Sequence, residues 1–194
     1  MAFMIAAMVA AVIVSASITS TKRIYDDQVR TQLDLTVESA VRVVRAELLK
    51  TRDEGNEAVI KEVSTENPDG SVTDEKTYTY SGNLETEIKA ALEYVYENDQ
   101  AYTGSFVVSA SAPDGALKDV NVDYKLNYMD FDGKNEFTLY MTFSADDSNK
   151  RSSDDIHSEV SLTLKADSTP AEERTHTSAD GKVITTEIKI SWRS

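Results

Sequence analysis

The sequence predicts an α+β fold: a long N-terminal helix with a protruding apolar first half, and an amphipathic second half packed on an antiparallel β-sheet head. Three observations predict it. No Gly or Pro occurs before Gly55. Up to that point apolar residues recur at helical spacing, and beyond it they alternate with period two. Asp-Gly and Pro-Asp-Gly turn signals then punctuate the alternating segments. The chain accordingly divides into a helix over 1–54 and a β-rich head over 55–194.

Met1 to Thr21 carries no charged side chain, and Met1 to Val14 is an unbroken apolar run. As a helix that segment reaches roughly 31 Å, against a bilayer hydrocarbon core of roughly 30 Å. Ala2, Ala6 and Ala10 repeat every fourth residue, with Ala7 and Ala11 beside them. Small residues at this spacing let helix backbones approach closely. Alanine that merely fills a membrane helix accounts for the same composition equally well.

After Lys22 and Arg23 a single stripe continues through Tyr25, Val29, Leu33, Val37, Val41, Val44 and Leu48. Charges such as Asp26, Arg30, Asp34, Glu38, Arg42 and Glu47 occupy the other faces. One helix is therefore expected from near residue 2 to near residue 53, about 75 Å long, stopped by Gly55. Its weakest stretch is Ser15 to Thr21, where Ser, Thr and Ile lower helix propensity. The stripe of the second half can dock on a sheet. The first half is apolar all round and has to lie in a membrane or among copies of itself.

In the head, Val120 to Tyr128, Phe137 to Phe143, Val160 to Leu164 and Ile184 to Trp192 alternate apolar with polar residues, as strands with one wet face do. Asp132-Gly133 joins strands near 118–130 and 134–145, and Asp180-Gly181 joins 173–178 to 182–192. Pro68-Asp69-Gly70 and Pro113-Asp114-Gly115 mark further turns. A helix from about Leu84 to Glu97 shows Leu84, Ile88, Leu92 and Val95 on one face, with Asn83 as its cap. The strands are expected to form a meander.

Residues 1–54 hold seven basic and seven acidic side chains, so the head carries the whole net charge of −14. So acidic a surface repels nucleic acid, whose phosphates need clustered Lys and Arg. There is no cysteine, which removes disulfides, thiolate zinc sites and cysteine nucleophiles together. His157 and His176 have no metal-ligand spacing, and no phosphate loop, nucleophile elbow or zinc motif occurs. No catalytic residue is assigned, and the chain is not read as an enzyme. Calcium is the one cofactor considered: Asp146, Asp147, Asp154 and Asp155 crowd a polar loop that also holds Ser148, Asn149, Ser152 and Ser153. The loop lacks the glycine and terminal glutamate of a calcium loop, and simple solvation accounts for it as well.

Met1-Ala-Phe-Met-Ile-Ala-Ala-Met-Val-Ala-Ala-Val-Ile-Val, its amphipathic continuation to Leu49 and the β-rich region after it resemble the type IV pilin and pseudopilin superfamily. The resemblance implies a subunit of a cell-surface filament, held in the cytoplasmic or inner membrane before assembly. Its partners would be identical subunits, its core packed through Ala2, Ala6, Ala7, Ala10 and Ala11. It also implies removal of a basic leader and methylation of the new N-terminus; with no basic residue before Lys22, the chain looks already processed. Three features differ from the family pattern. Ile5 stands where a glutamate is usual, no proline interrupts the first half, and the head has no disulfide. The first leaves major and minor subunit open. Pilus and secretion or uptake pseudopilus are not separated either. The rival reading is a secreted or anchored monomeric β-domain that binds a surface ligand, with Val14-Ser15-Ala16 as a signal-cleavage site.

Overall fold

The computed structural model describes the backbone of residues 2–53, 58–80, 82–109, 119–131, 134–146, 156–169, 171–178 and 181–193; the side chains of 2–13, 50–53, 130–131, 134, 167 and 178 are excepted. It is α+β: a long helix α1 (Ala2–Asp53) and an antiparallel sheet, with a second helix α2 (Glu85–Asn98). The strands are β1 (Ala58–Glu66), β2 (Val72–Thr79), β3 (Tyr102–Val108), β4 (Val120–Phe131), β5 (Lys134–Asp146), β6 (His157–Ser168), β7 (Glu172–Ser178) and β8 (Gly181–Arg193). Their order is β2-β1-β8-β6-β5-β4-β3, with β7 paired to β8 off that path.

The helix runs unbroken through Ser15–Thr21. Its hydroxyls are satisfied locally: Thr19 Oγ1 donates to the Ser15 carbonyl and Thr21 Oγ1 to the Ser17 carbonyl, both at 2.9 Å. Back-bonding of this kind lets Ser and Thr sit in a helix without leaving a polar group unmet. Gly55, Asp132-Gly133, Pro113-Asp114-Gly115 and Asp180, all expected at turns or helix ends, lie outside the described residues.

The β1–β2 connection does lie within them. Gly70 has φ +83°, and its N–H donates to the Asn67 carbonyl at 2.9 Å. A left-handed residue at this corner favours glycine because no Cβ meets the backbone. Asp69 Oδ1 accepts from the N–H and the hydroxyl of Ser71, and these bonds hold its carboxyl below the ordinary range.

The expected meander holds only in part. β6, β5, β4 and β3 are successive neighbours, but β1 pairs with β8 along its whole length. The register explains why: Ala58 faces Ile190 and Ile60 faces Ile188, so four buried apolar residues share one face. β8 also pairs with β7 over Gly181–Glu187 and with β6 over Ile190–Arg193. α2 starts one residue later than expected, and Leu84 is its cap, with no side-chain hydrogen bond. Asn83 is not the cap; its N–H donates instead to Glu47 Oε1 of α1 at 3.0 Å. Asp99 ends α2 in the left-handed conformation, donating its N–H to the Val95 carbonyl.

The chain divides into two compact units. One comprises residues 1–40, 107–121 and 143–160; the other comprises 41–106, 122–142 and 161–194. In the first, Leu33, Val37 and Ala40 of α1 are buried, and Ser158 Oγ of β6 donates to Asp34 Oδ1 at 2.7 Å. In the second, Leu48 is fully buried in a cleft shared with Ile88, Phe106, Tyr124, Leu139 and Met141. Rings continue this core: Tyr94–Tyr102–Tyr124–Phe106 and Tyr78–Tyr96–Tyr128–Phe137 are successive contacts of 5.0–6.4 Å between centroids. Gly104 makes room for one of them, because a Cβ there would come within 2.5 Å of the Tyr124 hydroxyl.

Leu48→Ala should cost about 2–5 kcal/mol by leaving a cavity in this core, measured as a lowered midpoint in chemical unfolding. Burial pushes the Tyr80 phenol up to about 12, with the nearby Glu47 charge adding to it, and burial first of all raises Tyr78 and Tyr124 as well. A phenol raised above its unfolded value near 10 stabilises the fold below pH ~10, and this is lost as pH climbs toward the folded value. Alkaline unfolding monitored at fixed temperature should therefore begin above pH ~10. Tyr80 has no hydrogen-bond partner for its buried hydroxyl. Tyr80→Phe should shift the alkaline midpoint upward without lowering stability at neutral pH.

Candidate functional site: the uncovered face of the long helix

α1 presents two faces of different fate. Leu33, Thr36, Val37, Ala40, Val44 and Leu48 are buried, at the three- and four-residue steps of one helical face. The single polar member, Thr36, is satisfied by donating its hydroxyl to the Gln32 carbonyl at 2.7 Å. Of the remaining stripe residues expected from the sequence, Tyr25, Val29 and Val41 are half-buried. Ala40 and Thr36 belong to the buried row although the apolar periodicity did not single them out.

Every residue from Val14 to Ile24 is exposed, on all sides of the helix. Val14, Ile18 and Ile24 keep 57%, 64% and 57% of their surface in water. Farther along, Leu35 and Val43 are 62% and 58% exposed on the side turned away from the buried row. These residues belong to a longer pattern. Ile24, Gln28, Thr31, Leu35, Ser39, Val43 and Ala46 follow one another at steps of three or four, all exposed and all uncharged. Asp27, Arg30, Asp34, Glu38, Arg42 and Arg45 stand along one side of this row. Isolated exposed apolar residues are ordinary, and here Ile24, Leu35 and Val43 lie along one uncharged row of the helix together with polar Gln28, Thr31 and Ser39. The signal was present in the sequence as the uncharged positions of a second helical row, hidden beside the more apolar stripe.

Asp26 sits at the end of the buried row. It is half-buried, and its Oδ1 is sequestered without a hydrogen-bond partner. The side chains of Ala2, Ala6, Ala7, Ala10 and Ala11 lie outside the described residues. Among the described residues, no helix is long and apolar enough to cross a membrane.

The acidic loop considered for calcium contributes one described residue, Asp146; Asp147, Asp154 and Asp155 lie outside. Asp146 Oδ1 is 2.6 Å from His157 Nδ1, and Glu159 Oε2 is 3.4 Å from His157 Nε2. Among the described residues no group of three or more acidic or histidine side chains is arranged to hold a metal. An open groove runs over Thr103, Ser105, Asp123, Lys125, Tyr140 and Thr142.

The chain matches no protein-family model and no curated protein sequence. The geometry of the helix face therefore carries the functional reading by itself.

The hydrogen bond to Asp146, and then that to Glu159, raise the His157 pKa above its ordinary value of 6.5. A raised histidine stabilises the fold below pH ~6.5, and that contribution is lost as pH rises through the folded value. In a proton NMR titration His157 should titrate above 6.5, and Asp146→Asn should bring its midpoint down.

Proposed function

We propose that this protein is a structural subunit of a type IV pilus-like filament on the cell surface. The observation that carries the reading is the bare, charge-free row on a continuous 52-residue helix. One face of α1 is buried within its own chain, while Val14, Ile18, Ile24, Leu35 and Val43 each keep more than half of their surface in water. Burying a large aliphatic side chain is worth about 1.5–3 kcal/mol, so five such residues left exposed along one helix favour association with further helices. The same helix begins at Ala2, and its apolar run to Val14 adds the strongest part of that drive.

In this reading residues 1–21 wait in the cytoplasmic or inner membrane and then pack among neighbouring copies through Ala2, Ala6, Ala7, Ala10 and Ala11. Small side chains there let backbones close together, as in membrane helix pairs. The sheet, carrying the chain's acidity, faces solvent and keeps the polymer soluble. The partners are identical subunits, the work is mechanical, and no catalytic group or cofactor enters. The likeness to type IV pilins supports this reading through architecture: a long apolar-to-amphipathic helix leading into an antiparallel sheet.

Ala10→Asp tests it. A carboxylate in a packed helical core is desolvated without a partner. Sheared surface material should contain filaments from the parent chain and none from the variant, while the variant's sheet stays folded by circular dichroism. Unchanged polymerisation of Ala10→Asp would overturn the reading. So would monomers released into the medium with an N-terminus near Ser17, which would make the chain a secreted β-domain.

A further inference from the structure

Along β4 and β5 buried and exposed residues alternate, as they must where one face of a sheet covers the core. Tyr124 and Leu126 of β4 and Leu139 and Met141 of β5 are buried, which turns Asp123, Lys125, Tyr140 and Thr142 outward. On β3, Gly104 lies against Tyr124, and Thr103 and Ser105 on either side of it are exposed. These six outward side chains line the open groove, whose volume of about 440 Å³ lies within the roughly 300–1,000 Å³ of small-ligand sites. They stand on paired strands anchored by buried neighbours, so the array is set by the scaffold and not by loops. Among the described residues, none of the six side chains is tied up in a hydrogen bond or ion pair within the chain. Asp123 and Lys125 cancel, which leaves the groove neutral in a chain of net charge −14.

We propose that this groove binds a neutral saccharide, held as a unit within a longer glycan chain. A sugar ring presents an apolar face of C–H groups and a rim of hydroxyls that both donate and accept. Tyr140 keeps 44% of its surface exposed and supplies an aromatic ring for the apolar face. Around it, the Asp123 carboxylate accepts, the Lys125 ammonium donates, and the hydroxyls of Thr103, Ser105 and Thr142 do either. The two charged groups make the stronger of these bonds. The same lining disfavours other ligand classes. Phosphates and nucleic acids need clustered cations, and here one lysine stands beside a carboxylate. A calcium ion needs several oxygen ligands, and the groove holds one carboxylate. An apolar anchor would find a single ring in an otherwise polar lining. Because the groove is open, it admits a sugar unit without requiring the chain to end there. The inference rests on the sheet alone and not on the filament reading, and it applies to an unassembled chain as much as to a subunit.

Amide NMR on the full chain tests this, in a phosphocholine detergent because sugar-headed detergents would compete for the groove. The probes are tetrasaccharides of glucose, mannose, galactose and N-acetylglucosamine, with a polygalacturonate fragment as the anionic comparison. At least one neutral probe should shift the amides around Ser105, Asp123 and Tyr140 saturably. Tyr140→Ala should weaken that binding about tenfold through loss of the ring, and Tyr140→Phe should keep most of it. Asp123→Asn should also weaken it about tenfold, by replacing a charged acceptor with a neutral one. Both positions face solvent, so the remaining amides should stay where they are in the parent chain. Ala10→Asp, which tests the filament, should bind the same sugar as the parent, so the two readings fail separately. Three results would overturn the proposal: no saturable shift with any of the four neutral probes, binding that Tyr140→Ala leaves unchanged, or tighter binding of the polygalacturonate at the same amides.

Discussion

Leu48 is fully buried, and none of the residues around it is its neighbour in sequence. Ile88 comes from α2, Phe106 from β3, Tyr124 from β4, Leu139 and Met141 from β5. In proteins most of a helix's stability comes from packing of this kind rather than from propensity. Glu47, one position before, adds a polar tie by accepting the Asn83 N–H and so fixing the approach to α2. The glycine beside that tie is part of it: a Cβ on Gly82 would crowd the Tyr80 ring and Glu47 Oε1 at 3.1–3.2 Å. A single carboxylate of α1 thereby ties down the segment that leads into α2.

The same packing leaves the opposite face of α1 bare. A helix buried on one face normally shows charge on the other. α1 does so along one flank, while Ile24, Leu35 and Val43 follow a row without charge. The filament reading accounts for both faces with one principle, burial against the chain's own core on one side and against other copies on the other.

Charge is distributed to suit. The edges β2 and β7 carry ionised side chains, and on β2 they also pair inward: Lys76 faces Glu62 at 3.4 Å and lies 5.3 Å from the Tyr96 ring centroid. Such exposed pairs add little stability. Charged side chains on an edge strand also disfavour pairing with another strand.

Much of this was legible in the sequence, for a definite reason. Helical and strand periodicities are local, so α1, its stripe through Leu33, Val37, Val44 and Leu48, and the strands containing Tyr124, Leu139 and Ile188 could be placed from spacing alone. The turn at Pro68-Asp69-Gly70 was equally local, because a left-handed corner favours glycine. Pairing was not local. Nothing near Ala58 announces that it faces Ile190, and nothing near Asn83 shows that its N–H is taken by Glu47 of α1. The open face of α1 and the groove over β3, β4 and β5 belong to this second kind. A row is bare, or a groove formed, only relative to what the rest of the chain covers, and that is decided by long-range contacts that no window of sequence contains.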